Sequence, residues 1–116
     1  MHSKRYGPDE VSGLLPLLDS IGFEIEERSR RLATLEREIE LLSSGEPFER
    51  EALLERQAEI ATHRRGVRLA RAELERLGCS LVGTEPLTFR IPGADGLRRR
   101  SFVWQHGRRA VLPTNG

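Results

Sequence analysis

Two stretches of this chain repeat aliphatic residues every seven positions, and the second repeat mirrors the first in reverse. In the first stretch one seam is Val11, Leu18, Ile25, Leu32 and Ile39, and the other is Leu14, Ile21, Arg28, Leu35 and Leu42. In the second stretch the seams are Leu53, Ile60, Val67, Leu74 and Arg56, His63, Ala70, Leu77. A seven-residue apolar repeat buries a stripe of one helix against another. Antiparallel partners joined by one turn keep a near-constant sum of residue numbers. Ile39 with Leu53, Leu32 with Ile60, Ile25 with Val67 and Leu18 with Leu74 share the sum 92. Leu35 with Arg56, Arg28 with His63, Ile21 with Ala70 and Leu14 with Leu77 share the sum 91. Eight layers in one register predict an antiparallel helical hairpin with a coiled-coil seam.

Local signals set its limits. Pro8 suits the first helical position, where its missing N–H is no loss, and Asp9 and Glu10 favour the positive end of the helix dipole. The pattern predicts helix 1 over 8–42. Ser43-Ser44-Gly45-Glu46-Pro47 stops it, and helix 2 is predicted over 49–77, closed by Gly78. Helix 1 carries 4 Arg and 9 acids, and helix 2 carries 7 Arg and 6 Glu. Flanking pairs Arg31–Glu59 and Glu36–Arg50 are expected to favour this register. Gly22 and Gly66 fall toward the open end of the hairpin.

Residues 86–112 read as a small antiparallel β-meander of two or three strands. Leu87-Thr88-Phe89-Arg90-Ile91 alternates apolar and polar. Pro92 to Gly96 has turn chemistry, and Arg100 to Gln105 places Phe102 and Trp104 on one face. The closing Pro-Thr-Asn-Gly is expected to fray. The fold class is therefore α+β, mostly α, in a single domain over 1–116. Leu15, Leu17, Leu41, Leu54, Ala58 and Ala61 widen the apolar surface beyond the seams. A second copy would cover it, giving a homodimer with a four-helix bundle that buries Leu15, Leu41 or Leu54.

The opening Tyr6-Gly7-Pro8-Asp9-Glu10-Val11, followed by Leu14-Leu15-Pro16-Leu17-Leu18, resembles the start of domain of unknown function 2203, a bacterial family. Phe89-Arg90-Ile91-Pro92, a turn containing Gly and Arg, and then Val103-Trp104 and Gly107 are similar to its later part. Two long helices separate these parts in the family, as here. The family continues into a second Trp-His segment and a Gly-Arg close, where this chain has Arg108-Arg109-Ala110-Val111-Leu112. The family is uncharacterised, so the resemblance implies a fold and no reaction.

Several chemistries can be weighed from the residues. Arg28 and His63 interrupt both seams at one level and form a candidate polar layer; the plainer expectation is that Arg28 snorkels outward and His63 sits partly exposed. A carboxylate-bridged metal bundle needs Glu-x-x-His, but Ile60 stands three residues before His63. No cofactor or metal is expected. Cys79 is the only cysteine, which excludes an intramolecular disulfide. It follows the end of helix 2, where the negative dipole end disfavours a thiolate. Gly93-Ala94-Asp95-Gly96 lacks the Lys-Ser/Thr of a phosphate loop. The longest aliphatic run is broken by Pro16, so no membrane span is expected and a cytoplasmic location is the default.

Charge singles out the tail. Residues 1–78 hold 13 Lys+Arg against 16 acids, whereas 79–116 hold 6 Arg against 2 acids. Arg90, Arg98, Arg99, Arg100, Arg108 and Arg109 thus form a candidate anion or partner surface. One use is docking of Arg98, Arg99 and Arg100 on acidic helix 1. Another is RNA or single-stranded nucleic acid, held by phosphate contacts and by stacking on Phe89, Phe102 and Trp104. The expected function is a non-enzymatic protein–protein interaction or scaffold module with an unknown protein partner, with nucleic-acid binding as the alternative.

Overall fold

The computed structural model describes residues 5–43, 49–95, 98–108 and 112–114. Its elements are α1 (Pro8–Ser43), α2 (Arg50–Arg76), β1 (Ser80–Thr84), β2 (Leu87–Asp95), β3 (Arg98–Gln105) and β4 (Leu112–Thr114). The architecture is α+β, mostly α: a helical hairpin followed by an antiparallel meander. Among the described residues no helix is long and apolar enough to cross a membrane. The turn chemistry expected between the helices lies, from residue 44 to 48, outside the described residues.

The helix ends follow the local code. The Gly7 N–H donates to Glu10 Oε1 at 3.0 Å, so a carboxylate three residues into the turn satisfies an orphan donor just ahead of Pro8. At the far end of α2, Gly78 takes φ 78°, a left-handed conformation that suits glycine. The Gly78 N–H reaches the Glu75 carbonyl at 2.9 Å and the Cys79 N–H reaches that of Leu74 at 3.1 Å. This double closure pairs carbonyls that the helix itself leaves open. The Tyr6 hydroxyl donates to the Leu77 carbonyl at 2.7 Å and satisfies another.

Packing divides the chain into a sheet unit, Met1–Phe23 with Arg71–Gly116, and a helical unit, Glu24–Ala70. The sheet unit holds the larger core. Tyr6, Val11, Leu18, Ile21, Leu74 and Cys79 are buried there. So are Leu87, Phe89, Ile91, Phe102 and Trp104 from the sheet. Phe89 faces Trp104 and Ile91 faces Phe102 in the β2–β3 register, so all four share one face. The Phe89 and Trp104 rings stack at 5.6 Å with 13° between planes. Among the described residues of the helical unit the buried apolar side chains are Ile25, Leu35 and Ile60.

The sheet departs from expectation in three places. Among the described residues it has four strands in the order β1-β2-β3-β4 and starts at Ser80, not at 86. β1 is short and irregular, with a register shift between Leu81 and Gly83; its burial alternates, but Val82 takes an exposed position and Gly83 an inner one, so its sequence does not alternate apolar with polar. The expected turn at Pro92 to Asp95 is instead the end of β2, paired with Ser101 to Arg98. Pro92 fits because β1 reaches only as far as Ser80 opposite Arg90, and its nitrogen faces the edge left beyond that point. Tyr6 fills that edge: its N–H donates to the Pro92 carbonyl at 2.9 Å, and its carbonyl accepts from Ala94 at 3.0 Å. Finally, Pro113 and Thr114, expected to fray, lie in β4 opposite Phe102 and Ser101.

Candidate functional site

The two residues of the candidate polar layer are in contact, and both stay partly exposed. Arg28 Nη1 lies 3.3 Å from His63 Nδ1, which ties α1 to α2 in the register of sum 91. Arg28 is a donor only, so His63 Nδ1 accepts and the ring hydrogen belongs on Nε2. That nitrogen faces Glu59 Oε1 at 3.7 Å. Arg31 donates two bonds to Glu59, at 2.9 and 3.2 Å, as its position on the flank predicts. These bonds hold the Glu59 carboxyl below the usual carboxylate range and push the Arg31 guanidinium up. Arg28 Nε also donates to Glu24 at 2.8 Å. A chain of alternating partners, Glu24–Arg28–His63–Glu59–Arg31, therefore runs across the helical unit. The Arg28 and His63 side chains are 29% and 21% exposed, so the layer is neither dry nor free in water.

Its seat was not foreseen. Gly66 is buried on α2, and a Cβ there would overlap the Arg28 side chain. The glycine, costly inside a helix, makes room for the guanidinium. A related arrangement occurs in the sheet unit. A Cβ on Gly22 would lie 2.7 Å from His106 Nδ1. That nitrogen also lies 3.1 Å from Asp19 Oδ1, and the ring stands edge-on to Trp104 at 5.8 Å.

The two glycines should respond oppositely to alanine. Arg28 is a flexible chain that can swing into solvent, so Gly66→Ala should be neutral or stabilise by up to about 1 kcal/mol through helix propensity. His106 is wedged against Trp104 and only 13% exposed. Gly22→Ala should therefore lose about 1–2 kcal/mol, overpacking outweighing the same propensity gain. Denaturant melts of both variants check the order.

Of the six tail arginines, Arg90, Arg99 and Arg108 have described side chains. Arg90 turns along the outer sheet face and donates to Ser101 Oγ from Nε at 3.2 Å and from Nη2 at 3.1 Å. Arg99 pairs across the ladder with Ala94 and is exposed, as is Arg108. Arg98 and Arg100 stand in register with Asp95 and Gly93, but their side chains, and Arg109 altogether, lie outside the described residues. The expected docking of Arg98 and Arg100 on helix 1 falls there too. The aromatic partners required for base stacking are committed to the core: Phe89 is 0%, Trp104 2% and Phe102 6% exposed.

The remaining chemistries are thin. Burial pushes the Cys79 thiol up to about 11, so at neutral pH it is protonated and a poor nucleophile. Among the described residues no group of three or more His, Cys, Asp or Glu side chains is placed to hold a metal ion. The flank pair expected between Glu36 and Arg50 is replaced by Glu36 with Arg64, at 3.6 Å. Glu38 takes Arg56 at 2.9 Å. No family model, curated protein or solved structure matches this chain.

Proposed function

We propose that this chain is a non-enzymatic protein–protein interaction module that presents the faces of its helical hairpin to a partner. One observation carries the reading. The helical unit leaves Leu41, Leu54 and Leu69 exposed at 76%, 59% and 58%, while burying few apolar side chains of its own. Large leucines held in water on a thin two-helix core mark a surface that is complete only when covered. The proposal includes a cytoplasmic location. It also keeps the likeness to domain of unknown function 2203, whose two long helices are framed by similar segments.

Nucleic-acid binding remains the second reading, on the exposed Arg99 and Arg108. A titration of the full chain with a fluorescent single-stranded RNA separates the two. The interaction module should show no saturable binding at about 50 mM salt, where phosphate contacts are strongest. Saturable binding that falls steeply by about 200 mM salt would overturn the proposal in favour of the basic tail.

A further inference from the structure

We infer that His63 is a proton-operated tie between the two helices: the neutral ring holds Arg28 across the hairpin, and the protonated ring turns to Glu59 on its own helix. The tie is independent of what the module binds. It follows from what each atom can do. Arg28 Nη1 lies 3.3 Å from His63 Nδ1. A guanidinium only donates, so this bond exists only while Nδ1 keeps its lone pair. A proton on Nδ1 turns the acceptor into a second donor. Two cations then stand at hydrogen-bond distance, and the contact becomes repulsive.

The other ring nitrogen has the opposite need. Nε2 lies 3.7 Å from Glu59 Oε1, one helical turn earlier on α2. That is long for a hydrogen bond and within reach of an ion pair once the ring is charged. Arg31 holds the Glu59 carboxyl below the usual range, so Glu59 is still an anion where an imidazole takes up a proton. Its Oε1 accepts Arg31 Nε at 2.9 Å and its Oε2 accepts Nη2 at 3.2 Å, which leaves a lone pair for the ring. The charged groups around the ring are thus Arg28, Glu24 and Arg31 from α1 and Glu59 from α2. Arg56, one heptad earlier on α2, is held by Glu38, and Arg64, next in sequence, by Glu36.

Arg28 has somewhere to go. Its Nε donates to Glu24 on its own helix at 2.8 Å, and its side chain is partly exposed. Toward α2 it lies over the buried Gly66, where any Cβ would overlap it. Released from His63, this flexible chain swings out with Glu24 and vacates the seat. The His63 ring is itself partly exposed, so a proton reaches it without unfolding of the helices. One proton therefore exchanges a bond between the helices for a bond within α2. It does so at the level where both seams are polar.

Nitrogen-15 spectra of the full chain test this, with His63→Asn as the comparison. Asparagine sets Oδ1 where Nδ1 stood and takes up no proton, so it should keep the bond to Arg28 at every pH. Spectra are taken on either side of the free-imidazole value of about 6.5, from about pH 8 down to the lowest pH at which circular dichroism finds the helices intact. At the upper pH the His63 ring should carry its hydrogen on Nε2. As the ring protonates, the order parameter of Arg28 Nε should fall from about 0.85 to below about 0.6. In His63→Asn it should stay high throughout. Four results would each overturn the inference: a hydrogen on Nδ1 at the upper pH, an Arg28 already disordered there, an Arg28 that keeps its order as His63 protonates, or the same loss of order in His63→Asn. A ring that stays neutral down to the pH at which the helices unfold would overturn it too.

Discussion

Trp104→Ala should unfold the sheet unit under mild denaturant, at a cost of about 3–5 kcal/mol. Trp104 is 2% exposed and stacked on Phe89. Its indole N–H donates to the Arg108 carbonyl at 2.8 Å, fixing the turn after β3. Alanine empties the largest fully buried side chain of the core and leaves that bond unmade. Domains of this size hold only about 5–15 kcal/mol in total, so the loss is a large share. Trp104→Phe keeps the stack and removes mainly the hydrogen bond, for a smaller cost of about 1–2 kcal/mol. Circular dichroism is the suitable probe, because Trp104 is the only tryptophan and its removal takes the fluorescence signal with it. Equal losses in the two variants would place the weight on the N–H bond and not on the packing.

The second large effect belongs to the helical unit. Leu35→Ala and Ile25→Ala should each cost about 2–5 kcal/mol, the range for emptying a filled core position. Leu35 is 0% and Ile25 3% exposed. With so few buried apolar side chains there, the neighbours have little to collapse with. Leu32 occupies the same heptad rank as Ile25 but is only half-buried, so Leu32→Ala should cost less than either in a dilute sample. Urea melts followed at 222 nm give the ranking. Loss of less than about 1 kcal/mol at Leu35 would mean that its seam is not closed as described.

The helices were legible because a seven-residue period is a long, redundant signal. Val11 to Ile39 restates one instruction five times, and the mirrored run from Leu53 restates it in reverse. The same redundancy singled out Arg28 and His63 as a shared level, but seam spacing alone does not distinguish a contact between them from two side chains turned outward. The flank pairs were only half legible. Arg31 finds Glu59, but Glu36 finds Arg64, because several long arginines compete on one exposed border and sequence spacing does not choose among them. β1 was missed because five residues containing Gly83 and an exposed Val82 offer no alternation to read. Pro92-Gly93 suggested a turn because sequence does not show that β1 stops short and relieves a proline of its ladder bond. The seats of Arg28 on Gly66 and of His106 on Gly22 were equally hidden. A glycine in a helix announces that something approaches closely, but only the folded backbone says what.

The short bridge from Tyr6 to β2 has a consequence for how the chain avoids its own kind. β2 runs five residues beyond the reach of β1, which would leave the Pro92 carbonyl and the Ala94 N–H as a row of bare ladder groups. Such a row is a template on which foreign strands grow into fibrils. Tyr6 occupies it with its own backbone and then anchors itself by its hydroxyl on α2, while Arg5 adds a bond to the Gly93 carbonyl at 3.3 Å. Tyr6 is thus a stopper: a single bridging residue occupies the ladder groups that β2 presents beyond the reach of β1.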